Sequence, residues 1–398
     1  MRISSSTIQN DAVSQMDALQ VAISGTEQQL STGLKVQNAA DDPTGMAQVN
    51  QMNVEVSAST QYVTNSNTAQ TNLQLEEQAL SDASNVMQNV NSLAVEANNT
   101  SLSAAQRSNI ATELQQDLNN LVSIGNRTDS NNNYLFGGYA NTSPPFTQSG
   151  NTINYNGSSA VIQVQVSENQ SISVGDTGAT AFMNVPTGNG TFTTAAASSN
   201  TGGASIGGGT VTDPAQWAAG TGNYTISFTD PTDYTVTDSN GNTVASGTYA
   251  NGDTLSFAGA QVTLEGTPAA GDSFTIAPAG TTSAFSAISN LITALNSKSL
   301  NSGQLTTQVN SAVQQVQNSI TNFSDVSASV GARLNAITTA QSTASSEQTS
   351  LKTNVGTLQD TDYAAATTQL STEELALQAA QESYASLEKL SLFNYIQG

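Results

Sequence analysis

The sequence predicts an α+β protein, in which long coiled-coil helices from both chain ends form a rod and a β-rich antiparallel domain is inserted in the middle. Apolar residues from Val309 to Ile337 keep a four-three spacing, which is typical of a long supercoiled helix. Residues Ala69 to Ala97 follow the same repeat, with Glu76 as its polar exception. From about Phe146 to Pro278, Gly, Thr and Ser alternate with apolar residues, which indicates strands. Because the two helical patterns lie far apart, distant segments of the chain must meet.

The first helix is predicted from a narrow apolar stripe that Thr26 interrupts and that ends near Gly33. A similar stripe at the other end of the chain has Glu373 as its polar exception. The two stripes consist of Ala12, Met16, Leu19, Ile23 and Leu30, and of Tyr363, Ala366, Leu370, Leu377, Ala380, Tyr384 and Leu387.

Each terminal stripe is thin and is surrounded by Gln and Ser. Isolated helices with so little apolar area are marginal in water, so we expect both ends to be largely disordered in the monomer. Intermolecular packing is favoured for these stripes over an ordinary intramolecular core, whereas the core interpretation is favoured for Val309 to Ile337.

Two further helices have clear start signals. Asp42 followed by Pro43 predicts a helix that runs toward Asn98. Ser103 and Gln106 form a capping-box pattern for a helix ending near Arg127. The adjacent residues Asp41 and Asp42, at the start of the first of these helices, could instead form a metal or acid-base site. No other ligand type accompanies them, so helix capping is favoured.

The β-rich middle contains one clear hairpin, from Tyr234 through the Asn240-Gly241 turn to Val244. The acidic and amide residues of this turn resemble the start of a calcium loop, but the glycine falls one position early, which favours a plain turn. Gly and Ser dominate from Thr187 to Thr210, so a flexible loop is predicted there.

Three domains follow from these patterns. Residues 1–38 with 355–398 are expected to be terminal polymerisation segments, residues 39–143 with 284–354 a helical rod domain, and residues 144–283 an outer β-rich domain. The aromatic residues Tyr134, Phe136 and Tyr139 are candidates for a partner surface, with a short strand at the end of the rod as an equal alternative.

Composition argues against most catalytic chemistry. The 398 residues include no His and no Cys, so imidazole and thiol catalysis and the commonest zinc ligands are excluded. Ser386 and Lys389 match a hydrolase spacing, which we interpret as a chance match. No enzymatic activity, cofactor or metal is expected.

The net charge of −22 disfavours nucleic acid and anionic membranes as partners. Every Lys and Arg lies at or before Arg127 or at or after Lys298, so the middle of the chain carries only acidic charges. No apolar run is long enough to insert in a membrane, and none resembles a cleaved signal peptide.

Residues 30–47, LSTGLKVQNAADDPTGMA, resemble the N-terminal signature of bacterial flagellins and their relatives. This resemblance implies paired terminal coiled coils, a helical block and a variable outer domain. The motif residues it marks are Leu30, Gly33, Leu34, Asn38, Asp41 and Asp42.

Within that superfamily, three features are similar to proteins of the hook-filament junction: the start Met1-Arg2-Ile3-Ser4, the stretch around Gly137 and Gly138, and the end Ser391 to Ile396. Residues from Phe257 to Pro278 also resemble outer-domain strands of hook-associated proteins.

The resemblance implies a structural adaptor in a ring of identical subunits between an adjacent hook-associated protein and flagellin. It also implies an extracellular place on the flagellum, export through the flagellar channel without a cleaved signal peptide, and a cytoplasmic export chaperone. A main-filament flagellin is the nearest alternative, and a secreted surface adhesin is a more distant one.

Overall fold

The structure is a computed structural model that describes residues 5–396, with side chains described for residues 7–386. The α+β prediction is confirmed. The helices are α1 (Ser5–Thr32), α2 (Pro43–Ala97), α3 (Ala104–Gly125), α4 (Pro214–Ala219), α5 (Ala284–Asn296), α6 (Ser302–Gln359) and α7 (Tyr363–Ile396), with a π-helical turn at Ala179–Met183. The strands are β1 (Phe146–Ser149), β2 (Thr152–Tyr155), β3 (Gln163–Ser167), β4 (Gln170–Ser173), β5 (Val185–Pro186), β6 (Phe192–Ala196), β7 (Ser205–Ile206), β8 (Thr210–Val211), β9 (Tyr224–Phe228), β10 (Asp233–Asp238), β11 (Thr243–Thr248), β12 (Thr254–Phe257), β13 (Ala260–Glu265), β14 (Ser273–Pro278) and β15 (Thr281–Thr282).

The chain forms two compact units. The first unit comprises residues 1–63 and 341–398, and the second comprises residues 64–340. The helices α2 and α6 each contribute to both units. The division of the chain into three domains that the sequence suggests stays a prediction.

The heptad positions of α2 and α6 lie in the core of the second unit. Leu73, Leu80 and Met87 are fully buried, and so are Val316 and Phe323 on α6. This burial confirms the core interpretation of the repeat from Val309 to Ile337, and it places the α2 repeat in the same core. The predicted helix starts are also confirmed. Ser103 and Gln106 form a reciprocal capping box at α3, and the helix ends at Gly125, close to the predicted end.

The β-rich middle contributes to two hydrophobic cores. Side chains of β1 to β5 join the helical core, where Phe146 packs against Phe182 and Phe285. Strands β6 to β14 enclose a separate core, which we call the outer core and which runs from Phe192 to Ile276. Its two antiparallel sheets have the strand orders β11-β10-β9-β14-β6 and β12-β13-β7, with β8 also paired to β13.

The predicted hairpin is confirmed as β10 and β11, and Gly241 adopts φ +82° in its turn. Asp238 accepts the backbone N–H groups of Asn240 and Asn242 at 2.9 and 2.8 Å, so these residues close a turn. Residues Asp129 to Asn133 repeat the same turn, with Asn132 at φ +62°.

Two sequence-based expectations are wrong. The segment from Thr187 to Thr210 is not a loop throughout, because it contains β6 and β7, whose Phe192 and Ile206 side chains are buried in the outer core. Phe136 is not a partner-surface residue, because it is fully buried and packs edge-on against Phe182 at 5.0 Å. Tyr139 is 65% exposed, so its place in a partner surface stays a prediction.

Candidate assembly surface

The terminal helices α1 and α7 pack against each other within the first unit, and we call them the terminal pair. In the predicted stripes, Ala366 is buried and Tyr363 is 56% exposed. The other stripe residues whose side chains are described are half-buried, namely Ala12, Met16, Leu19, Ile23, Leu30, Leu370, Leu377, Ala380 and Tyr384. The side chain of Leu387 lies outside the described residues. Because the stripes are not fully covered, the terminal pair retains apolar area that water can reach.

The two polar interruptions of the stripes meet each other. The Thr26 hydroxyl lies 3.0 Å from the Glu373 carboxylate and 3.1 Å from the Ala22 carbonyl oxygen. Thr26 is buried although it is polar. A buried polar group is tolerated when it has a hydrogen-bond partner, so this contact fixes the register of α1 against α7.

Other apolar side chains of the terminal pair are exposed. Val21 is 73% exposed and Leu375 is 67% exposed, and Ile8 and Val13 are exposed too. Single exposed apolar residues are ordinary on protein surfaces. Here they lie on the same two helices as the half-buried stripes, so the terminal pair leaves several apolar side chains accessible to water.

The flagellin-like motif forms the joint after α1. Gly33 has φ +74°, and its N–H closes the helix on the Gln29 carbonyl oxygen at 2.8 Å. Leu34 then forms a short antiparallel bridge with Asp360, just before α7. This arrangement needs glycine at position 33, because a side chain is strained at that φ and would also press on the Tyr363 hydroxyl.

The acidic residues of the motif act on backbone groups. The Asp41 carboxylate accepts the N–H groups of Asn38 and Gln37 at 2.9 and 3.0 Å, and these two bonds, the one from Asn38 first, lower the pKa of Asp41. Asp42 accepts the N–H groups of Thr44 and Gly45 at the start of α2. The capping interpretation of Asp42 is therefore confirmed.

Gly137 and Gly138 lie in the second unit and are not part of the terminal pair. Gly138 has φ +58°, and a Cβ there would lie 2.6 Å from the Ala160 carbonyl oxygen. Gly137 would similarly crowd the backbone of Asn141. These glycines are required by a tight turn, and any role in assembly stays a prediction.

One buried cluster of charged side chains, formed by Glu76, Asp176 and Arg333, was not predicted from the sequence. Glu76, the polar exception of the α2 heptads, is 1% exposed and accepts the Asp176 N–H at 3.0 Å. Arg333 on α6 forms an ion pair with the Asp176 carboxylate. The second carboxylate oxygen of Glu76 is buried without a hydrogen-bond partner. Burial, followed by the nearby negative charge of Asp176, raises the pKa of Glu76 to about 8.

Amide side chains of α6 bond to backbone carbonyl groups of the segment that runs from the π-helical turn to the start of β6. The Asn318 amide donates to the carbonyl oxygens of Pro186 and Gly188, each at 2.8 Å. The Asn322 amide donates to Ala181 at 2.7 Å. These carbonyl groups belong to β5, to the residues just after it and to the π-helical turn, so the α6 amides attach this whole segment to α6.

Among the described residues, no cluster of three or more acidic side chains could hold a metal ion. Within the same part of the chain, no helix is long and apolar enough to cross a membrane.

Comparison with known proteins matches three family models. Residues 3–141 match the bacterial flagellin N-terminal helical region, and residues 313–396 match its C-terminal helical region. Residues 195–278 match the D2-like domain of flagellar hook-associated protein 1, in agreement with the predicted resemblance of the outer strands.

Flagellar hook-associated protein 3 of Salmonella typhimurium is 31% identical over 185 residues, which are 46% of this chain and 58% of that protein. The Escherichia coli protein of the same name is 32% identical over 158 residues, 40% of this chain and 49% of that protein. The chain thus spans about half the length of the curated relatives it matches.

Solved structures are similar over more of their length. The crystal structure of Xanthomonas campestris FlgL is 34% identical with a TM-score of 0.70, and the match covers 76% of this chain and 98% of that one. The flagellar junction protein FlgL from Legionella pneumophila is 28% identical with a TM-score of 0.70, covering 79% and 100%. The chain therefore belongs to the flagellin superfamily, within its family of hook-filament junction proteins of the hook-associated protein 3 type.

Proposed function

We propose that this chain is a structural adaptor that joins the flagellar hook, through its associated proteins, to the flagellin filament. The observation that carries the proposal is the terminal pair, which combines a hydrogen bond between α1 and α7 with apolar side chains that one chain leaves exposed. Family membership supports the same role. Its partners would be further copies of itself in a ring, the adjacent hook-associated protein, and flagellin.

The terminal pair suits an assembly that extends along an axis. Its two helices run from opposite ends of the chain, and the exposed Val21 and Leu375 lie on different helices. Such a surface makes heterologous contacts, which add subunits in sequence without closing on themselves. We expect residues 1–38 and 355–398 to order fully only in that assembly, and a cytoplasmic chaperone to cover the C-terminal segment before export through the flagellar channel.

Immunogold labelling of isolated flagella tests the location of the protein. Label confined to one band at the hook-filament boundary is the expected result, and label along the filament would make the chain a flagellin. Label on the cell surface, away from the flagellum, would favour an adhesin.

Truncation after Asp360 tests the proposed surface. The shortened chain lacks α7, so it should be absent from isolated hooks while chains with an intact terminal pair are incorporated. Filaments assembled normally on the truncated chain would contradict the proposed role of the pair.

A further inference from the structure

The β-rich middle of the chain contains four asparagines that directly precede a glycine. These residues are Asn156, Asn189, Asn240 and Asn251. Asparagine is a thermolabile residue, because its side-chain amide can be attacked by the next backbone nitrogen and lost. A following glycine has no Cβ to obstruct that attack. By sequence alone, the four positions are equivalent candidates for this modification.

Hydrogen bonds hold the side chains of three of these asparagines. The Asn156 amide donates to the Thr147 hydroxyl at 2.8 Å. The side chain of Asn189 makes three such bonds, one of them with its amide as the donor. The side-chain oxygen of Asn251 accepts the Gly266 N–H at 2.7 Å. At each of these positions a bond must open before the side chain can turn toward the backbone.

The fourth asparagine, Asn240, is free to move. Its side chain is exposed and makes no hydrogen bond to any residue that the structure describes. A Cβ built on Gly241 would meet no atom within 4 Å. The Gly241 N–H donates to the Asp238 carbonyl oxygen at 3.0 Å, within the same turn, whereas the Gly252 N–H bonds to Leu264 of the outer core. Opening of one exposed turn is therefore enough to release the attacking group at Asn240.

We propose that Asn240 is a site of spontaneous deamidation in the folded protein. The backbone nitrogen of Gly241 bonds to Cγ of Asn240 and loses its proton to hydroxide. The bond from Cγ to Nδ2 breaks, and Nδ2 takes a proton from water and leaves as ammonia. Water then opens the resulting five-membered succinimide ring at either of its two carbonyl carbons, which gives an aspartyl or an isoaspartyl residue.

Either product changes the exposed end of the β10–β11 hairpin. It adds a negative charge close to the Asp238 carboxylate, which accepts the Asn240 N–H at 2.9 Å, and like charges at short range repel. The isoaspartyl product also adds a methylene group to the backbone of a turn whose length sets the strand register. β11 pairs only with β10 and is exposed along most of its length. The modification should therefore loosen this edge strand and leave the outer core intact.

Peptide mass mapping of the full-length chain tests the proposal, after incubation in mildly alkaline buffer with the chain either folded or unfolded in urea. The modified peptide is recognised by its small gain in mass, because a carboxylic acid replaces an amide. In the folded chain, Asn240 should react at least about five-fold faster than the other three asparagines, since a hydrogen bond that must first open lowers the reactive population by about that factor. In the unfolded chain, all four should react at similar rates.

Two variants test the protecting role of the hydrogen bonds directly. Thr147→Val, at an exposed position, removes the hydroxyl that accepts the Asn156 amide. Asn156 should then react about five-fold faster than in the parent chain, and Asn240 should react at its parent rate. Asn240→Gln is the matched control and should leave the mass of its peptide unchanged, because a longer side chain forms the ring less readily.

Three results would overturn the proposal. The first is a folded chain in which Asn240 reacts no faster than the other three asparagines. The second is an equally large preference for Asn240 in the unfolded chain, since it would assign the effect to the flanking residues. The third is an unchanged rate at Asn156 in a Thr147→Val chain with parent-like circular dichroism. The comparison of folded and unfolded parent chain needs no variant, so it decides the proposal if Thr147→Val disturbs β1.

Discussion

Replacement of Glu76 by Gln should stabilise the second unit in alkaline solution. The Glu76 side chain is buried, and its pKa is raised from 4.5 to about 8 by burial and then by the charge of Asp176. The folded state therefore retains a proton that the unfolded chain releases, so stability is fully present below about pH 4.5 and falls as the pH rises toward 8.

The size of this effect follows from linkage. Each pH unit between the unfolded and folded pKa lowers the free energy of unfolding by about 1.4 kcal/mol, which gives roughly 3 kcal/mol by pH 7 as an upper bound. Arg333 neutralises part of the local charge and reduces the cost. A glutamine side chain at this position would still accept the Asp176 N–H, and it carries no charge to lose at high pH. We expect a gain of about 2 kcal/mol for Glu76→Gln near pH 8.

Urea unfolding followed by far-UV circular dichroism, at several values from about pH 5 to pH 9, measures this gain. The parent chain should lose stability with rising pH, whereas Glu76→Gln should show a flatter profile that meets it near pH 5. Glu96→Gln, an exposed position on the same helix, is the control and should follow the parent. Equal pH slopes for Glu76→Gln and the parent chain, or a less stable Gln variant at high pH, would refute the reasoning.

Three further predictions concern backbone fit and the terminal pair. Asn132→Gly should raise the free energy of unfolding by about 0.5 kcal/mol, because Asn132 has φ +62°, which favours glycine. Gly241→Asn, in the matching turn, should lower it by a similar amount, and thermal unfolding measures both changes. Gly303→Ala should cost roughly 2 kcal/mol, because its Cβ would overlap a facing backbone carbonyl, whereas Gly331→Ala, with open space around it, should gain about 1 kcal/mol. Thr26→Val removes the hydroxyl that donates to the Glu373 carboxylate and should lower the stability of the terminal pair by about 1 kcal/mol. The terminal helices should then melt at a lower temperature, and an unchanged melting temperature would contradict the role of this bond in setting the register.

The helical part of the fold was predictable from the sequence because its signals are periodic or local. The α2 and α6 heptads specify which faces are buried, and the Asp42 and Ser103 caps specify where helices begin. The stripe residues of the terminal pair were likewise identified by spacing alone. Their role in assembly stays a prediction, since one chain shows only its own surface.

Strand β6 could not be predicted, because its local composition of Gly, Ser and Thr favours a loop. It is a strand because Phe192 enters the outer core and β14, far along the chain, supplies its ladder.

The sequence by itself determined the paired terminal helices, the inserted β-rich middle and the absence of imidazole and thiol chemistry. Only the tertiary structure decided how the polar exceptions are satisfied. Thr26 meets Glu373 across 347 positions of the chain, and Glu76 meets Asp176 across 100. A heptad pattern records that a polar residue interrupts a stripe, but its partner lies on another element, so the physical consequence of the interruption is set by the packing of the whole fold.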